Sequence, residues 1–219
     1  MLMRFKKLFY FVLCLLNFSS IKANESKWHS YIDFTVGERI YYLYYAALDV
    51  SKPSGNRALI LGSGAGNEDI ELLRKGWEVW SVDQSPRSEK VIKQRATNFR
   101  EKSHFHLGDF SSFKMTDNYD LVISFFALPF GDRKDLDSLV KNISNHMQKG
   151  SVFTVTFFGE QQDFVKKKVA YGIKQKELEE LLIVNNFKIH YLINRIYDKK
   201  DAFDNMVHWD IFDVIAIKQ

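Results

Sequence analysis

From Ala58 to Phe158, short apolar runs alternate with amphipathic stretches of helical length. Ala58 to Leu61 and Trp77 to Val82 read as buried strands, with a helix from Glu68 to Lys75 between them that stops at Gly76. Ser85-Pro86 opens the next helix, serine as N-cap and proline in the first turn, where its missing N–H costs nothing. His104 to Leu107, Tyr119 to Ser124 and Ser151 to Phe158 continue the strand series, and Asp132 to Met147 reads as a helix closed by Lys149-Gly150. Strands that alternate with helices build a parallel sheet covered on both faces. The end of the chain changes style. Gln175 to Val184 is a helix with Glu177, Glu179 and Glu180 toward water. Lys188 to Ile196 and His208 to Lys218 then follow with only the polar loop Tyr197 to Met206 between them, which makes an antiparallel hairpin. The expected architecture is a doubly wound, mostly parallel, seven-stranded α/β sheet of the Rossmann-like kind, with helices on both faces and a C-terminal antiparallel hairpin.

The remaining residues set the boundaries of that domain. At 219 residues, 46% of them hydrophobic, the chain suits one compact domain rather than two. Residues 1–23 differ from the rest: Arg4, Lys6 and Lys7 precede the apolar run Leu8 to Leu16, and a polar patch leads to the small residue Ala23. That is the layout of a signal peptide, and the run is about half the roughly 20 residues of a spanning helix. The expectation is a leader (1–23), a single domain (24–219) and no stable membrane span once the leader is gone. The chain would then be exported, periplasmic or secreted, with a cytoplasmic protein as the alternative. The tyrosine-rich stretch 28–50 reads as a helical lid segment, its helix set between Gly37 and Lys52-Pro53-Ser54-Gly55. Without its leader the chain carries 27 basic against 27 acidic residues, so the basic balance gives no support to a nucleic-acid partner. The only cysteine, Cys14, lies in the leader.

In an open parallel sheet, ligands bind beyond the carboxyl ends of the strands. Strand one ends in Gly62-Ser63-Gly64-Ala65-Gly66, strand two in Asp83-Gln84, strand three in Gly108-Asp109-Phe110, and strand four runs from Ser124 into Phe125 to Phe130. Glycines let the main chain approach a ligand closely. A carboxylate about 20 residues beyond such a loop is placed to accept ribose hydroxyls, which is the position of Asp83. Asp109 and Phe110 are placed for an adenine edge and face. A dinucleotide fingerprint would require glycine at 67, where this chain has Asn67 followed by Glu68 and Asp69. Acids at a helix N-terminus sit badly with a pyrophosphate and suit a ligand carrying an ammonium and a sulfonium. S-adenosylmethionine is the cofactor that fits. No phosphate-cradling G-x-x-x-x-G-K-[ST] is present.

With these residues in view, the chain resembles the class I S-adenosylmethionine-dependent methyltransferases, in the small branch similar to the tellurite-resistance methyltransferases. The matching stretches are ALILGSGAGNEDIELLRKGWEVWSVDQSP, HLGDF, YDLVISFFALPF, VTFFGEQQDF and VHWDIFDVIAIK. The resemblance implies that Gly62, Gly64 and Gly66 cradle the methionine part, that Asp83 holds the ribose and that Asp109-Phe110 flank the adenine. It implies methyl transfer to an acceptor, expected to be a small molecule. The rival expectations are a protein that binds the nucleoside without catalysis and an NAD-dependent oxidoreductase. Candidate acceptor walls are Tyr31, Phe126, Phe130, Phe158 and Trp209. His208 is the candidate base, His104 and His106 read as structural, Lys166-Lys167-Lys168 as a solvated run, and no metal site is expected. The sequence leaves the oligomeric state open.

Overall fold

A computed structural model of the chain describes residues 28–51 and 55–219. The expected leader, with Cys14 and Ala23, and the Lys52-Pro53-Ser54 stop lie outside the described residues. Seven strands form one sheet: β1 (Arg57–Leu61), β2 (Glu78–Asp83), β3 (Ser103–Leu107), β4 (Tyr119–Ser124), β5 (Met147–Phe158), β6 (Phe187–Lys200) and β7 (Met206–Lys218). Their order is β3-β2-β1-β4-β5-β7-β6. The first five pair in parallel, and β7 inserts antiparallel between β5 and β6. The helices are α1 (28–35), α2 (Tyr42–Val50), α3 (Asn67–Arg74), α4 (Pro86–Arg95), α5 (Leu136–Asn145), the short α6 (Asp163–Lys166) and α7 (Gln175–Val184). The order reverses direction between β1 and β4, so the crevice for a ligand opens at their tips.

Alternate residues of the central strands bury on opposite faces. Leu59, Leu61, Val122, Phe153, Val155 and Phe157 pack with Val140 and Ile143 of α5 and with Leu178 and Leu182 of α7. Ala58, Ile60, Leu121 and Ile123 pack with Leu43, Tyr44 and Ala47 of α2 and with Ile70 and Leu73 of α3. Ser85 caps α4 as expected, its hydroxyl accepting from Arg87 N at 3.3 Å, with Pro86 opening the helix.

Two stretches differ from the sequence reading. Lys149-Gly150 does not close a helix. α5 ends at Asn145, and both residues belong to β5, where Gly150 (φ 91°) accompanies a register shift against β4. A lysine–glycine pair carries the same local signal in a bulge as at a helix end. The hairpin is also longer than the pattern suggests. Tyr197 to Lys200 and Met206 to His208 are paired strand, and the turn is closed by Asp201, which accepts from Phe203 N and Asn205 N. Of these residues only Val207 is buried, so no apolar alternation marks the strands.

One polar cluster lies under the α2 face of the sheet. Asp213 of β7 is fully buried and opposite Thr156 of β5. Its carboxylate pairs with Arg195 of β6 and accepts from the hydroxyls of Tyr41 (2.8 Å) and Tyr42 (2.5 Å). Arg195 in turn lies over the Tyr41, Tyr42 and Tyr197 rings. Burial and the neighbouring Asp213 charge push both tyrosine hydroxyls well above their usual range. Removing one partner of such a pair strands the other charge. Asp213→Ala should therefore lower the unfolding free energy by about 3 kcal/mol in urea titrations.

Candidate functional site

The three glycines after β1 all have positive φ: Gly62 (81°), Gly64 (52°) and Gly66 (71°). They are required for different reasons. A Cβ on Gly62 would stand 2.1 Å from Ala127 Cβ, and one on Gly66 would stand 2.4 Å from Ile92 Cγ1. These two let the β4 tip and α4 close on the loop. At Gly64 a Cβ would meet nothing within 4 Å, so this main chain faces open space. The loop is closed by Gly66 N to Ser63 O (2.8 Å) and by Ser88 Oγ donating to Gly64 O (2.6 Å). Ser63 and Ala65 are buried, and Ser63 Oγ bonds Ile60 O, so both offer the crevice only main chain.

Asp83 is bonded directly to this loop. Its Oδ2 accepts from Gly64 N and its Oδ1 from Ser85 N, each at 2.9 Å. Burial raises the carboxyl's pKa, and the two amides oppose that rise. A carboxylate oxygen keeps a second lone pair after one such bond, so the group can still accept from a ligand. Gln84 beside it is exposed. The Ser124 hydroxyl is buried and donates to Leu61 O at 2.9 Å, tying the β4 tip to β1. Asp109 is turned into its own loop, where Oδ1 accepts from Ser111 Oγ and Ser112 N, which lowers its pKa. The Phe110 ring reaches back to lie 3.8 Å from the Cβ position of Gly62 and 3.6 Å from that of Gly131. An open glycine main chain beside a carboxylate with free lone pairs and one aromatic ring fits an adenosine carrying a short cationic tail.

Of the acids that open α3, Asp69 is fully buried, and the Glu68 charge is felt at Tyr31. Burial raises the Glu68 carboxyl's pKa, opposed by nearby main-chain N–H groups including that of Tyr41, and Asp69 is buried against Ser81 of β2.

Beyond the β4 and β5 tips, the five expected acceptor-wall residues belong to one chain of ring contacts. Tyr31 meets Trp28 (6.0 Å between centroids), Trp28 meets Phe130 (5.5 Å), and Phe130 meets Phe158 (5.6 Å). Phe164 links Phe158 (6.1 Å) to Trp209 (5.8 Å), and Trp209 meets Phe126 (6.1 Å). Trp28 and Phe164 were not anticipated, because no spacing rule relates an N-terminal helix or α6 to the β4 tip. Phe126 takes φ 53°, uncommon for a bulky residue, and its N–H donates to Thr156 Oγ1. Gln162 is fully buried beside this wall, at the N-cap of α6. Its Oε1 accepts from Asp163 N and Asp210 N, while Nε2 has no partner. A buried donor left unpaired costs about 1–3 kcal/mol, so Gln162 holds a donor in reserve on this side of the sheet.

The histidines lie elsewhere. His208 Nδ1 pairs with Asp198 across the hairpin at 2.8 Å, and strand alternation puts it on the opposite face from Trp209. His104 bonds Glu78 and His106 bonds Ser112. Among the described residues no group of three or more metal-capable side chains occurs, and no helix is long and apolar enough to cross a membrane.

Residues 58–150 match a family model described as a methyltransferase domain. An uncharacterized methyltransferase of Bacillus mycoides is 26% identical over 185 residues, which span 81% of this chain and 84% of the relative. The structure of TehB from Haemophilus influenzae superposes with a TM-score of 0.67 at 20% identity, covering 83% of this chain and 63% of that protein. The magnesium protoporphyrin IX methyltransferase ChlM of Synechocystis PCC 6803, solved with bound SAH, gives 0.63 at 15% identity and covers 92% and 96%. At these identities the two solved structures establish a shared fold.

Asp69 supplies a test of how the loop is supported. Ser81 donates to its Oδ1, its Oδ2 has no partner, and burial lifts its pKa to about 7. In the unfolded chain the value is about 3.9. Folding therefore takes up a proton between those values, and the associated stability is full below about pH 4 and lost as pH rises through about 7. Asp69→Asn should be more stable than wild type at pH 8 by on the order of 2–4 kcal/mol. The advantage should shrink toward zero near pH 4, as read by paired urea titrations.

Proposed function

The chain is a class I S-adenosylmethionine-dependent methyltransferase similar to TehB, and we propose that it methylates a small-molecule acceptor held against the aromatic wall at the β4 and β5 tips. The observation that carries this reading is the glycine loop bonded to Asp83 at the switch point, open at Gly64. When bound, the cofactor supplies a methyl group on a sulfonium, already activated toward displacement. The main chain of Gly62 to Gly66 would hold its methionine part, Asp83 and Gln84 its ribose, and Phe110 with Asp109 its adenine. Ser124 holds the β1 and β4 tips together, so its part is to position. Phe126, Phe130, Phe158, Tyr31 and Trp209 would orient the acceptor and exclude water. Proximity and orientation supply most of the acceleration in such a displacement. His208, on the other face of β7 and engaged by Asp198, is not needed for it. ChlM, whose solved complex contains SAH, is a methyltransferase of a small molecule by its printed name, which supports the acceptor class.

The deciding experiment is calorimetry of the folded chain with S-adenosylhomocysteine and with NAD. Saturable heat is expected with the first and none with the second, because Asn67 occupies the place of the third dinucleotide glycine. Asp83→Ala should weaken S-adenosylhomocysteine binding at least tenfold, since charge-assisted hydrogen bonds contribute about 1.5–3 kcal/mol each. Unchanged affinity would make Asp83 a loop support only. We also propose export through residues 1–23. The mature chain should then begin at Asn24 by mass measurement, and an intact Met1 on cytosolic protein would refute it.

A further inference from the structure

The N-terminal segment is held on the glycine loop by side chains for which methyl transfer has no use. Asn67 Nδ2 donates to Thr35 O at 2.8 Å, while its Oδ1 accepts from Gly37 N at 3.0 Å and from Arg95 at 2.8 Å. The same Arg95 nitrogen donates to Ala65 O, inside the loop. On the other flank, Arg87 of α4 pairs with Asp33 through Nε at 2.6 Å and a terminal nitrogen at 2.5 Å. The apolar footing is small: Ile32 packs with Ala65 and Val91, with Tyr31 against them. From there α1 reaches across the switch point, since Trp28 meets Phe130 beyond β4. Eight helical residues span about 12 Å, so one short helix touches both banks of the crevice.

We infer that Asn67 is the positioning residue of a strap, residues 28–41, that roofs the cofactor crevice and sets the rate at which the cofactor enters and leaves. This rests on the cofactor reading above. Tyr41 anchors the strap's end on the buried Asp213, but before it the strap is bound mostly by partly exposed polar groups over few buried apolar contacts, the profile of a segment that opens locally while the fold stays intact. Asn67 is the node because its amide joins the strap directly and the loop through Arg95. An amide oxygen has two lone pairs, and both are engaged here. Glycine at this position would leave Thr35 O, Gly37 N and Arg95 without their common partner.

The experiment is stopped-flow measurement of S-adenosylhomocysteine association and dissociation on the full chain, following tryptophan fluorescence. Asn67→Ala should raise both rate constants at least fivefold while the dissociation constant changes less than threefold, as expected when a barrier rather than the bound state is altered. Asn67→Asp keeps the acceptor for Gly37 N and Arg95 but loses the donor to Thr35 O, and should fall between. Asp33→Ala, at a half-exposed side chain, removes the flank clamp and should act in the same direction even if Asn67→Ala fails to fold. Unchanged rates in Asp33→Ala and the Asn67 variants would overturn the gate. So would a rise in dissociation alone with a matching loss of affinity, which would make Asn67 an ordinary stabiliser. A wild-type chain that binds no S-adenosylhomocysteine would instead sink the cofactor reading, and with it the gate.

Discussion

The hydrogen bond from Gly64 N to Asp83 Oδ2 joins the two strand tips between which the crevice lies. β1 and β2 pair in register along their length, but a ladder fixes only the strands, not the loops beyond them. The carboxylate spans that gap: one oxygen takes the loop's central amide and the other takes Ser85 N, at the start of α4. Loop conformation, the position of α4 and the orientation of the carboxylate are thereby coupled. Ser88 Oγ on Gly64 O and Arg95 on Ala65 O extend the same coupling from α4 back to the loop. Ser124 on Leu61 O extends it to β4.

A second constraint acts where β7 enters the sheet. An antiparallel strand between two others has no helix of its own to cover both faces, and Asp213 sits on the face under α2. Its three partners come from distant parts of the chain: Tyr41 and Tyr42 before β1, and Arg195 on β6. Tyr41 also packs edge-on against Phe125 and Phe126 at the β4 tip. The cluster therefore connects the end of the strap to the wall on the other side of the crevice, through Phe126, whose amide is fixed by Thr156.

What could be read in the sequence follows from where burial imposes a period. β4 and α7 match their expected limits, Tyr119 to Ser124 and Gln175 to Val184, because six buried residues in a row and a one-sided helix leave no other reading. The tight turn after β1 was also legible, since the positive φ of Gly62, Gly64 and Gly66 is a matter of backbone chemistry. Side-chain destinations were not. Ser124 and Asp109 lie at the expected tips, yet Ser124 is turned to Leu61 O of β1 and Asp109 into its own loop. Asp69, at the helix start, rests against Ser81. Partners 30 or more residues away, such as Asn67 with Thr35 or Arg87 with Asp33, leave no periodic trace. Neither does a hairpin end in which Val207 alone is buried.

These long-range bonds bear on what kind of catalyst the fold makes. Displacement at a carbon already attached to a sulfonium needs no dedicated acid or base, so the protein's contribution is alignment and dryness. Alignment over a few ångströms requires the banks of the crevice to be fixed relative to one another, while entry of a cofactor requires one bank to yield. The structure separates the two demands. The β1, β2 and β4 tips are bound by buried or main-chain hydrogen bonds that do not open without local unfolding. The strap, by contrast, is anchored at its Tyr41 end and attached over the crevice only through the exposed Arg87–Asp33 pair and the Asn67 amide, over three buried apolar residues. Rigidity is placed where the reacting atoms must meet, and yielding where they must pass.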